Sequence, residues 1–215
     1  VSVALSVARL LGVSGFELYA TGTLQLSSAS DGVTGLALTP RMNWTLATAL
    51  ANEPDGLLSD LDILAAVALQ VTGQAAIDIG NGALVATVTG VELNLATMDV
   101  TDGTTTLTGA DILSFTGTAS LFAGVGGSLN GAHTAVVNGT IGFAVNSVSL
   151  SLVSATGALT DGANAGDSYV GVSVALSDAQ LIGVSGFELY ASGTLKLNSA
   201  SDEIGRASCR ERVYA

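Results

Sequence analysis

Side chains that carry chemistry are scarce in this 215-residue chain, which has one cysteine, one histidine, one tryptophan and two prolines. Only 6 residues are lysine or arginine, against 18 aspartates and glutamates, so the formal net charge is −12. A strongly acidic surface repels phosphate backbones. The composition therefore excludes nucleic acid as an expected partner.

Long apolar runs are missing as well. The longest, residues 63–69, falls far short of the roughly 18 residues that a transmembrane helix needs, so no membrane span is predicted. Aromatic residues make up only 5% of the chain. An outer-membrane β-barrel, which alternating strands would permit, places aromatic girdles at both interfaces. The barrel therefore stays an alternative and not the favoured interpretation.

Catalytic constellations are equally thin. The only histidine, His133, lies in a turn-like segment, and neither Ser128 nor Asp111 belongs to a nucleophile-elbow sequence. Two acidic pairs could act as glycosidase carboxylates, Asp60 with Asp62 and Asp99 with Asp102. Carboxylates beside turns are, however, more typical of solvated caps. The other alternative, a β-helix enzyme active on polysaccharides, would need charged residues clustered on one face. The repeated region offers only three basic ones: Arg9, Arg41 and Lys196. No catalytic residue is predicted.

The chain is rich in internal repetition. Residues 1–31 return as residues 172–202 with 25 of 31 positions identical, which defines a period of 171 residues. Because the chain begins inside a repeat unit, we expect it to be a fragment of a longer tandem array. Repeat proteins stack similar units, and they commonly span distance or present surface.

The differences between the two copies predict a strand over Phe16–Leu26, where apolar residues occupy the even positions. The second copy replaces Thr21 by Ser192 and Gln25 by Lys196 on the polar phase, and it leaves the apolar phase unchanged. Surface substitutions change stability by about 0.5 kcal/mol, whereas core truncations cost about 2–5 kcal/mol. We therefore expect the even residues, and their counterparts from Phe187 onwards, to face a core.

Weaker similarities divide the period. A strand motif of Gly followed by Thr or Gln recurs around five glycines: Gly22, Gly73, Gly117, Gly139 and Gly193. We interpret residues 1–31 as the end of one repeat unit, residues 32–121 as a first half-unit and residues 122–202 as a second half-unit.

β-Branched residues and seven Asp-Gly or Asn-Gly turn signals predict an all-β fold. One arrangement is a β-solenoid or an extended stacked-sheet repeat array, in which small residues such as Ala20 and Gly22 permit close backbone approach. The alternative is a string of tandem β-sandwich domains. The lack of linkers favours the first arrangement. The apolar residues from Leu57 to Ala68 fit a helical stripe, while alternate residues from Ile63 to Val71 fit a strand. We therefore predict a short helical turn near residues 56–62 that runs into a strand.

Residues 203–215 do not belong to the repeat. They hold three of the six basic residues and the only cysteine, Cys209, and their sequence looks like a translated sequencing adapter. We interpret them as a non-native tail. Residues 1–202 then contain no cysteine, which is compatible with an exported bacterial protein.

Calcium is the one cofactor that the sequence leaves open. Asp161, Asn164 and Asp167 offer oxygen ligands three residues apart in a loop, as hard cations prefer. Neither the EF-hand loop nor the glycine-rich calcium nonapeptide is present. Turn chemistry explains these residues without a metal, so no cofactor is required and the three residues are calcium candidates only.

The second copy carries the motif LIGVSGFELYASGTL at residues 181–195. This motif resembles a tandem repeat of giant bacterial extracellular adhesin-like proteins of the type I-secreted kind. The resemblance implies a structural or adhesive segment, a stalk or interaction surface without catalysis, which is extracellular or at the cell surface. The implied partners are adjacent repeats of the same chain and cell-surface or matrix ligands.

Overall fold

A computed structural model describes residues 1–9, 15–38, 40–52 and 55–202. The predicted non-native tail, with Cys209, lies outside these residues. Within them the chain forms ten strands, one short helix and one 3₁₀ turn. The strands are β1 Ser2–Arg9, β2 Phe16–Leu26, β3 Val67–Ile79, β4 Leu84–Thr101, β5 Thr106–Val125, β6 Ser128–Leu129, β7 Val136–Val137, β8 Ile141–Thr156, β9 Ser168–Ile182 and β10 Tyr190–Ser201. Helix α1 is Trp44–Ala47, and the 3₁₀ turn is Gly162–Asn164.

Eight strands form one antiparallel sheet in the order β1-β2-β3-β4-β5-β8-β9-β10. The β6–β7 hairpin is inserted between β5 and β8, and it contacts β3, β4 and β5. Among the described residues, β1 and β10 each have a neighbour on one side only, so they are the two edges of the sheet. The all-β prediction is confirmed. No helix in the described part of the chain has the length and apolar character required to cross a membrane.

The repeated sequence makes the same hairpin twice. β1 pairs with β2, β9 pairs with β10, and the facing residues coincide after a shift of 171 positions. Val3 opposite Leu24, for example, corresponds to Val174 opposite Leu195. The register irregularity in the first hairpin recurs at the equivalent place in the second. One period therefore contributes six strands to the sheet, from β1 to β8 without the inserted hairpin.

The two faces of the sheet differ in polarity. Directly opposed residues share a face, so each row of facing residues shows the character of one face. One row of apolar side chains crosses all eight strands: Val3, Leu24, Val71, Leu93, Phe115, Leu152, Val172 and Leu197. The face that carries this row is called the apolar face below. A neighbouring row on the opposite, polar face reads Thr23, Thr72, Glu92, Thr116, Ser151, Ser173 and Lys196.

The strand predicted over Phe16–Leu26 is confirmed with the same bounds as β2. The prediction that its even residues and their counterparts face a core is wrong at several positions. Leu24 is 42% exposed, Phe187 is 55% exposed and Leu195 is 60% exposed. The reason is that the sheet is a single layer here, so that no second layer covers the ends of the apolar face in the described part of the chain.

The tightest packing lies at the middle of the sheet, around Phe122 of β5. Its side chain is fully buried, and it faces the buried Val85 of β4 and Ala144 of β8. Glycines make room for the ring: a Cβ added to Gly142 would lie 2.8 Å from its Cζ atom, and one on Gly127 would lie 2.5 Å from Cδ1. A second cluster joins Leu107, Ala110 and Ala155, with Ile112 and Tyr169 packed against it.

The helical turn predicted over residues 56–62 is wrong, because these residues form an irregular loop before β3. The short helix lies instead at Trp44–Ala47, where the Asn43 side chain accepts a hydrogen bond from the Leu46 N–H at 3.1 Å and so caps its start. The leucines of the predicted stripe, such as Leu57 at 82% exposed, make no core. Residues 121 and 122, the predicted border between half-units, are neighbours within β5.

Candidate functional site

The three calcium candidates lie in the connection between β8 and β9. The Asp161 carboxylate accepts a hydrogen bond from the Thr108 N–H at 3.0 Å, and the Asn164 amide donates to the Thr106 carbonyl at 3.1 Å. The Asp167 carbonyl accepts from the Gly157 N–H at 2.8 Å. These contacts fasten the connection to the start of β5 and to the end of β8. The described residues contain no cluster of three or more His, Cys, Asp or Glu side chains that could hold a metal.

Three carboxylates of the acidic pairs accept hydrogen bonds from neighbouring groups. The Asp102 carboxylate accepts from the N–H groups of Thr105 at 2.7 Å and Thr104 at 2.8 Å, and these bonds, Thr105 first, lower the pKa of Asp102 below 3.8. Asp99 accepts from the Gly109 N–H at 2.7 Å. Asp62 accepts from the Thr45 hydroxyl at 3.1 Å. Asp102 therefore binds the backbone of a turn, Asp62 makes a loop contact, and Asp99 joins β4 to β5.

Asp31 repeats the arrangement of Asp102 in the turn after β2. Its carboxylate accepts from the Thr34 N–H at 2.6 Å, the Thr34 hydroxyl at 2.9 Å and the Val33 N–H at 3.0 Å. The backbone hydrogen bond from Thr34 is the main cause that lowers the pKa of Asp31. The Asp-Gly signals at these two positions thus mark turns in which the carboxylate binds the following backbone.

His133 lies at the tip of the β6–β7 hairpin with a φ of 56°. Its ring stacks on Tyr19 of β2, with ring centroids 3.6 Å apart and the planes inclined by 14°. Asp111 accepts instead from the Thr97 hydroxyl at 3.2 Å. In the part of the chain that the structure describes, no hydrogen bond joins His133 to Ser128 or Asp111. The histidine therefore anchors the hairpin to the sheet.

The basic residues of the repeated region are dispersed. Arg9 is in the edge strand β1, and Lys196 is in the opposite edge strand β10. Arg41 lies in the loop between β2 and β3 and donates to the Ala66 carbonyl at 3.4 Å. The cationic cluster that a polysaccharide-active site would need is not assembled among the described residues.

The feature that sequence reasoning missed is the open edge formed by β10. Every residue of β10 is exposed, although its counterpart β2 is half-buried over most of its length. The signal was present in the sequence, since β10 keeps the residues with which β2 meets β3. An almost identical strand is thus paired on both sides in one copy and on one side in the other.

The apolar face also carries an open groove at the β1 end of the sheet, with a volume of about 320 Å³. Val3, Leu5, Leu24, Val71 and Val91 contribute to its lining. A groove of aliphatic side chains offers contact area and no reactive group. It is therefore suited to packing against another apolar surface.

No protein-family model, no curated protein and no solved structure matches this chain.

Proposed function

We propose that this chain is a structural and adhesive repeat segment of a large secreted or cell-surface bacterial protein, and that it acts as a stalk or interaction surface without catalysis. The observation that carries the proposal is the return of one hairpin, β1–β2, as β9–β10 with the same facing residues. A sequence that repeats its strand pairing can be continued without change at either edge. Such a unit can lengthen the protein and present surface to partners, and it needs no reactive site.

The same pairing supports the extended-sheet form of the repeat array. Each period adds six strands, and neighbouring strands lie about 4.8 Å apart, so that one period lengthens a continuous sheet by about 29 Å. The apolar face, with Leu24, Leu195 and Leu197 exposed, is where a second layer would stack. Tandem β-sandwich domains are the competing form, because they would cover the same face within each unit.

The absence of catalysis is supported by the use that the fold makes of its polar groups. Asp102 and Asp161 bind backbone N–H groups in turns, and His133 stacks on an aromatic ring. The resemblance of the repeat motif to adhesin-like proteins supports the extracellular or cell-surface location, and the net charge of −12 suits a solvated surface.

The proposed stalk can be tested by measuring how the length of the protein grows with the number of periods. Proteins would be made in which residues 32–202, one complete period, occur once, twice and three times in tandem after residues 1–31. Small-angle scattering and electron microscopy should show a rigid object that lengthens by about 29 Å per period. Globular beads with variable spacing would contradict the continuous sheet and favour tandem sandwiches.

The location needs a separate test in the organism that makes the protein. An epitope placed in the exposed loop at Gly32 should be accessible to antibody and to added protease on intact cells. Particles coated with the three-period protein should be retained on cells or on extracted matrix. Inaccessibility of the epitope would contradict the surface location, and loss of retention alone would leave a purely structural stalk.

A further inference from the structure

We propose that the free edge of β10 is a docking site for strand β3 of a second copy of this chain, whose own β1–β2 hairpin gives way to it. In the described structure β3 pairs along all of β2, from Phe16 opposite Ile79 to Leu26 opposite Leu69. Residues 187–197 repeat β2 with nine of eleven positions identical. From Tyr190 onwards these residues form β10, so the second copy's β3 would meet nearly the same strand over that part of its length.

Glycines give the strongest support. Gly22 lies opposite Gly73, and the two backbones approach so closely that a Cβ on Gly73 would lie 2.5 Å from the Thr21 carbonyl oxygen and 3.2 Å from the Gly22 Cα. Gly193 is the counterpart of Gly22, and a Cβ added there would meet nothing within 4 Å. Glycine weakens the interior of a strand unless another backbone approaches it. Nothing in the described chain lies within 4 Å of the Cβ position of Gly193, but β3 of a second copy would.

The turn before the strand shows the same difference: its glycine meets a neighbouring backbone in the first copy and open space in the second. Gly15, with a φ of 70°, lies beside Gly80, and its carbonyl accepts the Gly80 N–H at 2.7 Å. Its counterpart Gly186 keeps the same conformation, with a φ of 76°, and a Cβ there would also meet nothing within 4 Å. Gly186 thus has the backbone conformation with which Gly15 binds Gly80 in the first copy.

Side chains on the polar face of β2 also find their partners on β3 or beside it. The hydroxyls of Thr23 and Thr72 lie 2.5 Å apart across the β2–β3 pair, and Thr194 is the exposed counterpart of Thr23. Tyr19 stacks on His133, whereas its counterpart Tyr190 is 70% exposed. When β10 of one copy takes the place of β2 in another, Tyr190 stacks on His133 of that copy.

The edge itself is open to strand addition. β10 is 12 residues long and exposed throughout, and Lys196 is its only charged residue. Long edges with few charges are templates for pairing with another chain. β1 of a second copy is a poorer partner, because its counterpart β9 pairs outward with β8 and not with a strand like β10. The contact is heterologous, so it joins copies head to tail into open chains.

Sedimentation velocity of the full chain against concentration tests the proposal. Gly22→Val should loosen β2 from β3 and so increase self-association. Gly193→Val should weaken association by about tenfold or more, because the added side chain would collide with the second copy's Thr72 carbonyl and Gly73. Gly171→Val in β9 is the matched control, since a Cβ there also meets nothing within 4 Å and lies away from the free edge. It should associate as the parent does.

A cross-link fixes the register in proteins that are otherwise unaltered. One chain carries Thr194→Cys and the other Thr72→Cys, both with Cys209→Ser. Mixed under mild oxidation, they should form a disulfide-linked heterodimer at about ten times the yield of a control pair with Thr194→Cys and the exposed Thr160→Cys. Equal yields from both pairs, or association that survives Gly193→Val, would overturn the proposal. The inference rests on the proposed repeat array, in which the same pair of strands joins successive periods of one chain. Association between separate chains can fail while the tandem proteins still lengthen by about 29 Å per period, so the two failures are distinguishable.

Discussion

At the scale of single residues, Phe122 shows how this glycine-rich chain makes a core. The ring is fully buried because Gly124, Gly127 and Gly142 leave the space that it fills, and Gly127 leads into the β6–β7 hairpin that contacts β3, β4 and β5. A glycine removes a side chain from the face and brings backbone into contact with the ring. The core is therefore built from one large residue and the gaps beside it.

Replacement of Phe122 by alanine should be among the most destabilising changes in the chain. The ring leaves a cavity that glycine backbones are too constrained to refill, so we expect a loss of about 3–5 kcal/mol in the free energy of unfolding. Urea unfolding followed by circular dichroism measures it. Phe187→Ala is the matched control, because Phe187 is 55% exposed, and it should change stability by about 0.5 kcal/mol. Equal losses in the two variants would contradict the assignment of the core.

The turn aspartates give a pH dependence. Hydrogen bonds from the Thr105 and Thr104 N–H groups hold the pKa of Asp102 below its ordinary value of 3.8. The ionised carboxylate thus stabilises the folded chain above that value, and its contribution is lost as the pH falls through the lower folded pKa. Asp102→Ala should therefore lower the unfolding temperature at neutral pH, and the gap to the parent should close on the acid side of 3.8.

Thermal unfolding over a pH series measures this gap, with Asp60→Ala in the exposed loop before β3 as control. The control should stay near the parent at neutral pH. If the Asp102→Ala gap persisted unchanged at the lowest pH, the hydrogen bonds of the ionised carboxylate would not be its source.

At the scale of elements, β2 and β10 separate what sequence dictates from what neighbours dictate. Both carry nearly the same residues and both form strands, each paired in the same register with its hairpin partner. Only β2 has a second neighbour, β3. Their burial differs because β3 lies beside β2 and because His133 of the β6–β7 hairpin stacks on Tyr19. Half of the amides of an antiparallel strand point to each side, so β3 also takes up the outward amides of β2.

Hydrogen exchange should expose this difference. In a dilute, monomeric sample, every second amide of β10 points away from β9 and should exchange rapidly, whereas the corresponding amides of β2 bond to β3 and should be protected. Two-dimensional NMR of the exchanging protein measures both strands at once, and the amides of β10 that bond to β9 serve as the internal control. Uniform protection along β10 at low concentration would contradict the open edge.

The elements also show the reach of the sequence patterns. The period-two alternation located β2 with the same bounds, and the Asp-Gly and Asn-Gly signals at Asn81, Asp102, Asn130 and Asp161 fall between the strands that they were expected to separate. These features are local, because they depend on backbone geometry and on the chemistry of adjacent residues. They could be derived without knowledge of the fold.

Features that depend on distant residues could not be derived. The burial of Leu195 required a second neighbour or layer that the alternation cannot report. The leucines around Leu57 have helical spacing but lie in an irregular loop, whereas Asn43 caps a helix that spacing did not indicate. The contact of His133 with Tyr19 joins residues more than 100 positions apart. Similarly, the candidate ligand Asp161 is held by Thr108 of β5, a contact that spacing within the loop does not reveal.

At the scale of the whole molecule, charge and apolar surface act in opposite directions. The apolar face promotes contact between sheets, while the acidic excess keeps copies apart and opposes the compact state through self-repulsion. Most carboxylates of the described residues lie in loops and turns outside the strands, and the few basic side chains of residues 1–202 are too dispersed to neutralise them. Added salt should therefore favour both folding and association.

We expect the unfolding temperature to rise with sodium chloride, as the screening length falls from about 30 Å at 0.01 M to about 8 Å at 0.15 M. Calcium chloride at matched ionic strength separates screening from binding. General screening gives the same rise with both salts, and a chelator leaves the sodium chloride curve unchanged. An additional rise with calcium that a chelator reverses, and that Asp161→Ala abolishes, would contradict pure screening and make the β8–β9 connection a metal site. Because Asp161 and Asn164 already bind the backbone of β5, we expect the two salts to give the same curve.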